Sequence, residues 1–178
     1  FGEMLTFKKM LENAKDQNER KVLLAGKVED MINTVIRQIA FYDFECKLHE
    51  ARKAGELTPD DINALWMSVQ GESLGPAFEF MDGYETFWAY IPHFVHSPFY
   101  VYAYAFGDGL VNALYAVYEA APDGFQEKYF DMLKAGGSQH HKDLLAPFGL
   151  DASDPTFWQQ GLSMISSMID ELEAMETP

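Results

Sequence analysis

Apolar residues recur along this chain at steps of three and four, the spacing that winds a single stripe down a helix. The first such run is Met4, Leu5, Phe7, Met10 and Leu11, directly behind Phe1-Gly2-Glu3. From Asn18 to about Gly55 the pattern continues through Leu24, Val28, Met31, Ile32, Val35, Ile36 and Ile39, with neither Gly nor Pro between Gly26 and Gly55. One long amphipathic helix is predicted. Gly55-Glu56-Leu57-Thr58-Pro59-Asp60-Asp61 then combines a stop glycine, a Thr cap, a Pro at the first helical position and acids in the first turn. Those signals start a further helix carrying Ile62, Leu65, Trp66 and Val69.

From Gly71 to Pro98 the periodicity breaks: Gly71, Gly75, Pro76, Gly83, Pro92 and Pro98 are interspersed with Phe80, Tyr84, Phe87, Trp88 and Tyr90. An irregular, aromatic-rich connection of this length is usually functional. Pro98 is expected to open a helix so apolar that it is buried nearly all round. Two more helices are predicted, over Asp123 to Lys134 and, after the start signal Ser153-Asp154-Pro155, from Thr156 to about Met175 with Leu162, Ile165, Met168, Ile169 and Leu172 on one stripe. No alternating strand pattern competes. The fold class is therefore all-α, a single multi-helix domain over residues 1–178 with long amphipathic helices.

Charge narrows the partners. With 13 Lys and Arg against 28 Asp and Glu the formal charge is -15, which opposes binding to nucleic acid or to an anionic membrane surface. Cys46 is the only cysteine, so no internal disulfide forms, and a reducing, cytoplasmic setting fits. The N-terminal residues have neither the basic start and apolar core of a signal peptide nor a run long enough to span a bilayer. They open on Phe1 without an initiator Met, as though cut from a larger chain.

Few residues are suited to chemistry. A zincin-type peptidase needs two His one helical turn apart with a Glu beside the first. In His49-Glu50-Ala51-Arg52-Lys53 a lysine stands where the second ligand belongs, and a cation cannot replace imidazole. His140 and His141 are neighbours, which a regular helix points about 100° apart. Gly107-Asp108-Gly109, inside the apolar helix, suits close helix packing better than phosphate binding. No metal ligand set is assigned to this chain.

The remaining candidate is WAYIPHFVHSPFYVYAYAFGDGL, where His93 and His96 precede a helix bearing Tyr100, Tyr102 and Tyr104. His and Tyr are neutral donors of the kind that stabilise the oxyanion of a tetrahedral intermediate, and a four-residue step sets Tyr100 and Tyr104 on one helix face with Tyr102 pointing away. A tyrosine-rich core helix with satisfied hydroxyls is the plainer alternative, and residue chemistry alone favours it.

At this segment the chain resembles the oligoendopeptidase F branch of the thimet-type metallopeptidases. The resemblance lies in Pro92-His93-Phe94 followed by Pro98-Phe99-Tyr100-Val101-Tyr102-Ala103-Tyr104. Arg37 to Tyr42 (RQIAFY), Phe44-Glu45, His49-Glu50, GELT at 55–58, LKAGGS at 133–138 and LLAPFGLD at 144–151 agree with it, so the similarity covers nearly the whole chain.

The resemblance implies the C-terminal part of a zincin-like oligopeptidase fold, belonging to a zinc metalloendopeptidase that hydrolyses short, unstructured peptides. The zinc ligands and the catalytic Glu of such an enzyme would lie in an N-terminal part ahead of Phe1, so this chain alone is expected to bind no zinc and to be inactive. Glu3 matches the acid that orients a zinc-binding histidine in relatives. His93, Tyr100 and Tyr104 match residues that bind substrate backbone and stabilise the oxyanion. His96 falls where relatives have a Tyr or a one-residue gap, and it is assigned with Tyr102 to substrate binding. A non-enzymatic helical binding module is the alternative, and exposed channel wall is expected to make the chain dimerise.

Overall fold

The computed structural model describes residues 1–176. Its α-helices run in the order α1 (Gly2–Glu12), α2 (Gln17–Met31), α3 (Arg37–Ala54), α4 (Pro59–Leu74), α5 (His93–His96), α6 (Tyr102–Ala120), α7 (Phe125–Ala135), α8 (His141–Leu145) and α9 (Pro155–Glu176). Among the described residues there is no strand, as the periodicity predicted. The single domain expected over 1–178 resolves into two compact units: Phe1–Met31 with Gly107–Pro178, and Ile32–Phe106.

The long helix predicted from Asn18 to Gly55 is not uniformly α: a π-helical stretch, Ile32–Ile36, separates α2 from α3. Burial shows the consequence. Leu24, Val28, Met31 and Val35 are buried at steps of four, three and four, and the next buried residue is Ala40, five positions on, followed by Phe41 and Phe44. The wider turn moves the buried stripe by one residue. Ile32 and Ile39, counted into the stripe on a strict α period, are thereby exposed.

In the first unit the core gathers Ala113, Leu114, Phe125, Leu145, Phe148, Leu150 and Phe157. Phe1 packs into it, stacked on Phe125 at 5.4 Å and against Tyr129 at 4.8 Å. α9 starts where Asp154 predicts, its carboxylate accepting from the Thr156 N–H. Its buried residues include Phe157, Ile165 and Met168, whereas Leu162 lies outside that stripe and is exposed. α6 and α9 cross closely: a Cβ on Gly161 would stand 3.4 Å from the Gly109 Cα, and one on Gly109 would meet the Trp158 ring at 3.0 Å. Gly109 therefore does serve close packing. Arg20 links α2 to both neighbours, donating from Nε to Glu171 at 2.6 Å and from Nη1 to the Leu11 carbonyl at 3.2 Å.

The second unit is built on α3 and α4, around Ala40, Phe41, Phe44, Trp66, Val69 and Val101. α4 begins with the predicted box: Thr58 Oγ1 accepts from the Asp61 N–H, and Asp61 accepts from the Thr58 N–H. Trp66, fully buried, donates its indole N–H to the Tyr84 carbonyl at 3.0 Å. Trp88 donates to Asn63 at 2.8 Å. These bonds seat the aromatic connection, which is irregular as expected: short 3-10 turns at Gly75–Ala77 and Tyr84–Tyr90 lead to the single turn of α5. The next helix does not open at Pro98. Phe99 has φ 61, in the left-handed region, so the chain makes a turn first and α6 starts at Tyr102. Nor is α6 buried all round, since Tyr102 and Tyr104 are exposed.

Candidate active site

His93 opens α5, with Pro92 before it supplying the fixed φ of a first helical turn. Tyr104 lies in the first turn of α6. The two meet: His93 Nε2 stands 3.0 Å from the Tyr104 hydroxyl, with ring centroids 5.8 Å apart and nearly perpendicular. The Tyr100 ring rests edge-on against Tyr104 at 6.2 Å. The sequence expected Tyr100 and Tyr104 to be neighbours on one helix face. They are neighbours, but through a turn, since Tyr100 lies ahead of α6 and its carbonyl accepts from the Ala103 N–H at 2.9 Å.

Both tyrosines remain open to solvent, Tyr100 at 55% and Tyr104 at 42%. An exposed pair of phenols beside an imidazole is not the satisfied interior that a core helix would show. Which partner donates in the His93–Tyr104 bond depends on the imidazole tautomer. If Nε2 carries the hydrogen, it donates to the phenol oxygen and frees the phenol O–H to donate outward.

Tyr102 is turned elsewhere, packing on Tyr42 at 5.8 Å. His96 closes α5 and is exposed; among the described residues no hydrogen bond or ring contact joins its side chain to the His93–Tyr104 pair.

Glu3 sits in the first unit with partners of its own. It accepts from Lys27 Nζ at 2.6 Å, and Lys27 holds its carboxyl below the ordinary carboxylate range, first through that hydrogen bond and then through charge. Lys27 itself is mostly buried, with its ammonium 6.0 Å from the centre of the Phe7 ring. Nearby, Asp108 accepts from Asn112 Nδ2 at 2.8 Å. Burial pushes the Asp108 carboxyl up, opposed by the Asn112 bond and the Lys27 charge. Among the described residues no group of three His, Cys, Asp or Glu side chains is placed to hold a metal. These residues therefore do not fit a zinc ion on their own.

Against known proteins, residues 1–164 match the model of peptidase family M3. The chain belongs to that family. Among curated M3-type relatives it is similar to the plasmid oligoendopeptidase F of Lactococcus lactis subsp. cremoris, 31% identical over 167 residues, which cover 93% of this chain and 28% of that protein. It is also similar to the oligopeptidase PepF of Bacillus subtilis, 30% identical over 98% of this chain and 26% of that protein. The crystal structure of oligoendopeptidase-F from Enterococcus faecium superposes with a TM-score of 0.81 at 26% identity, covering 97% of this chain and 33% of that one. This M3 chain thus spans between a quarter and a third of the relatives it matches, and the all-α fold expected from the resemblance is the fold observed.

Sequence reasoning passed over one residue of this neighbourhood. Glu45 is 1% exposed, and its Oε1 accepts from the Phe99 N–H at 2.9 Å. The signal was present: position 45 follows Phe41 by four on the buried face of α3, where an apolar residue is the expectation.

Proposed function

We propose that the chain is part of a zinc metalloendopeptidase acting on short oligopeptides, and that His93, Tyr104 and Tyr100 form its peptide-binding and oxyanion-stabilising wall. The observation that carries this reading is the 3.0 Å approach of His93 Nε2 to the exposed Tyr104 hydroxyl. A peptide carbonyl gains negative charge on its oxygen as the scissile bond is attacked. Donors already aimed at that oxygen stabilise it without reorganising, each worth about 10²- to 10³-fold in rate. Tyr104 donates, His93 orients its hydroxyl, and Tyr100 adds a second phenol on the same side. Tyr102 and His96 are proposed to contact substrate farther along. Glu3, with its charge fixed by Lys27, is proposed to hold the orientation of a zinc-binding imidazole supplied from outside the described residues.

The test uses a full-length family member. Tyr→Phe at the residue aligned with Tyr104 should lower kcat by about 10²- to 10³-fold with a small change in KM. An unchanged kcat would remove the oxyanion role. The 178-residue chain alone is expected to cleave no quenched peptide and to carry no stoichiometric zinc through purification, and chelator-sensitive cleavage by it would overturn the division of the site. A second reading, a helical module that binds a partner or itself, draws on the exposed Phe78, Met81, Tyr90 and Val95.

A further inference from the structure

Glu45 and Phe99 form a contact that secondary structure does not require. Phe99 is the only non-glycine residue with positive φ among those described, at 61°, a conformation that side chains with a Cβ avoid. It occurs at the last turn before the tyrosine helix. Two residues on, Val101 enters the core at 1% exposure, and the Tyr104 N–H donates to the Val101 carbonyl at 3.3 Å. The backbone at Phe99 therefore sets the point from which α6, and Tyr104 with it, departs.

What holds Phe99 there comes from 54 residues away in sequence: Oε1 of Glu45 accepts from the Phe99 N–H. Its other oxygen, Oε2, is buried without a hydrogen-bond partner. Burying an acid with one oxygen unpartnered is costly, and a leucine would pack at that site without the cost. What the acid adds is one directed bond, aimed at the strained residue. The Phe99 ring is bracketed as well, by His49 at 4.7 Å and Tyr42 at 6.2 Å.

We infer that Glu45 is a positioning residue for the His93–Tyr104–Tyr100 constellation: its carboxyl group holds Phe99 in the left-handed conformation and so sets the phase at which α6 presents Tyr104 to His93. The functional meaning rests on the peptidase reading above, but the geometry is measurable without activity.

The measurement is solution NMR of this chain with Glu45→Gln, Glu45→Leu and the double variant Glu45→Leu/Phe99→Gly. Gln keeps a carbonyl acceptor, so the Phe99 amide stays protected and contacts between the His93 and Tyr104 rings persist. With Leu the Phe99 Cα shift moves to values typical of negative φ, and the His93–Tyr104 contacts are lost, while the Trp158 indole signal in the other unit stays in place. Glycine adopts positive φ without help, so the double variant regains the contacts. Glu45→Leu with Phe99 and the His93–Tyr104 contacts unchanged would overturn the inference. If Glu45→Leu alone does not fold, a double variant that folds and shows the contacts supports it, and one that does not overturns it. The two readings fail separately. A Tyr→Phe enzyme with full kcat leaves these resonances untouched, and an inert Glu45 leaves the oxyanion role of Tyr104 standing.

Discussion

Two glycines in the same helix should answer the same substitution with opposite signs. Gly107 and Gly109 both lie inside α6, where replacing Gly by Ala gains about 1 kcal/mol from backbone entropy and helix propensity alone. A Cβ at Gly107 meets nothing within 4 Å, whereas one at Gly109 meets two ring carbons of Trp158 at 3.0 Å. The ring cannot simply swing aside, because its Nε1–H donates to the Ala152 carbonyl at 3.0 Å. Forcing an extra methyl into such a contact costs about 1–3 kcal/mol. Gly107→Ala should therefore stabilise by about 0.5–1 kcal/mol. Gly109→Ala should lose about 0–2 kcal/mol net once the same gain is subtracted. In a domain of this size 1 kcal/mol moves Tm by about 2–4 °C, so the two variants should separate by several degrees in a thermal melt followed by circular dichroism. Equal stabilisation by both would mean that Trp158 does not press on α6, and the close crossing of α6 and α9 would have to be abandoned.

Other perturbations follow the same logic. Thr58→Ala removes one half of the capping box on α4 and should cost about 1 kcal/mol in urea unfolding; no loss would mean the cap is not formed. Asp108 has a raised pKa in the fold, so the native state holds its proton more tightly than the unfolded chain does. Stability from this group therefore falls as pH rises from the ordinary Asp value through the raised one. Asp108→Asn should flatten that dependence and raise Tm near neutral pH, and a Tm–pH profile identical to the parent's would refute the burial argument. Glu3 has the opposite sign. Its lowered pKa contributes stability above the ordinary Glu value that is lost as pH falls through the lowered one, and Lys27→Met should remove this loss from an acid titration of Tm. Exposed Met81, Tyr90 and Val95 should make the chain self-associate, which sedimentation across a concentration series detects and a monomer at high concentration rules out.

Much of the fold was legible because local signals and burial agree. Thr58-Pro59 and Asp154-Pro155 mark helix starts that the structure keeps, since a cap acts within one turn and needs no tertiary context. Leu162 was misplaced for a different reason: an apolar residue beside a stripe looks the same in sequence whether it is in or out, and only packing decides. The π-helical turn could not be foreseen from an α period, because its one-residue shift appears as a slightly wider apolar band. At the candidate site, residue chemistry made His93 and Tyr104 candidates and the family resemblance singled them out. The turn that pairs them was not legible, since Pro98 is a normal helix start and nothing local announces a Phe at positive φ. That conformation depends on a carboxyl group far away in sequence, so it becomes visible only once α3 and the start of α6 are placed together.

The π-helical turn at Ile32–Ile36 also behaves as a phase adjuster. Removing one residue from it would restore unbroken α geometry and turn the five-residue step from Val35 to Ala40 into one of four, so that Ala40, Phe41, Phe44 and Glu45 keep the buried face of α3. The same deletion a few residues earlier, in the regular turns of α2, would carry the residues ahead of it about 100° round the helix axis relative to those behind it. Tolerance of a lost residue along this helix is therefore confined to the wide turn, a property that substitution scanning cannot register.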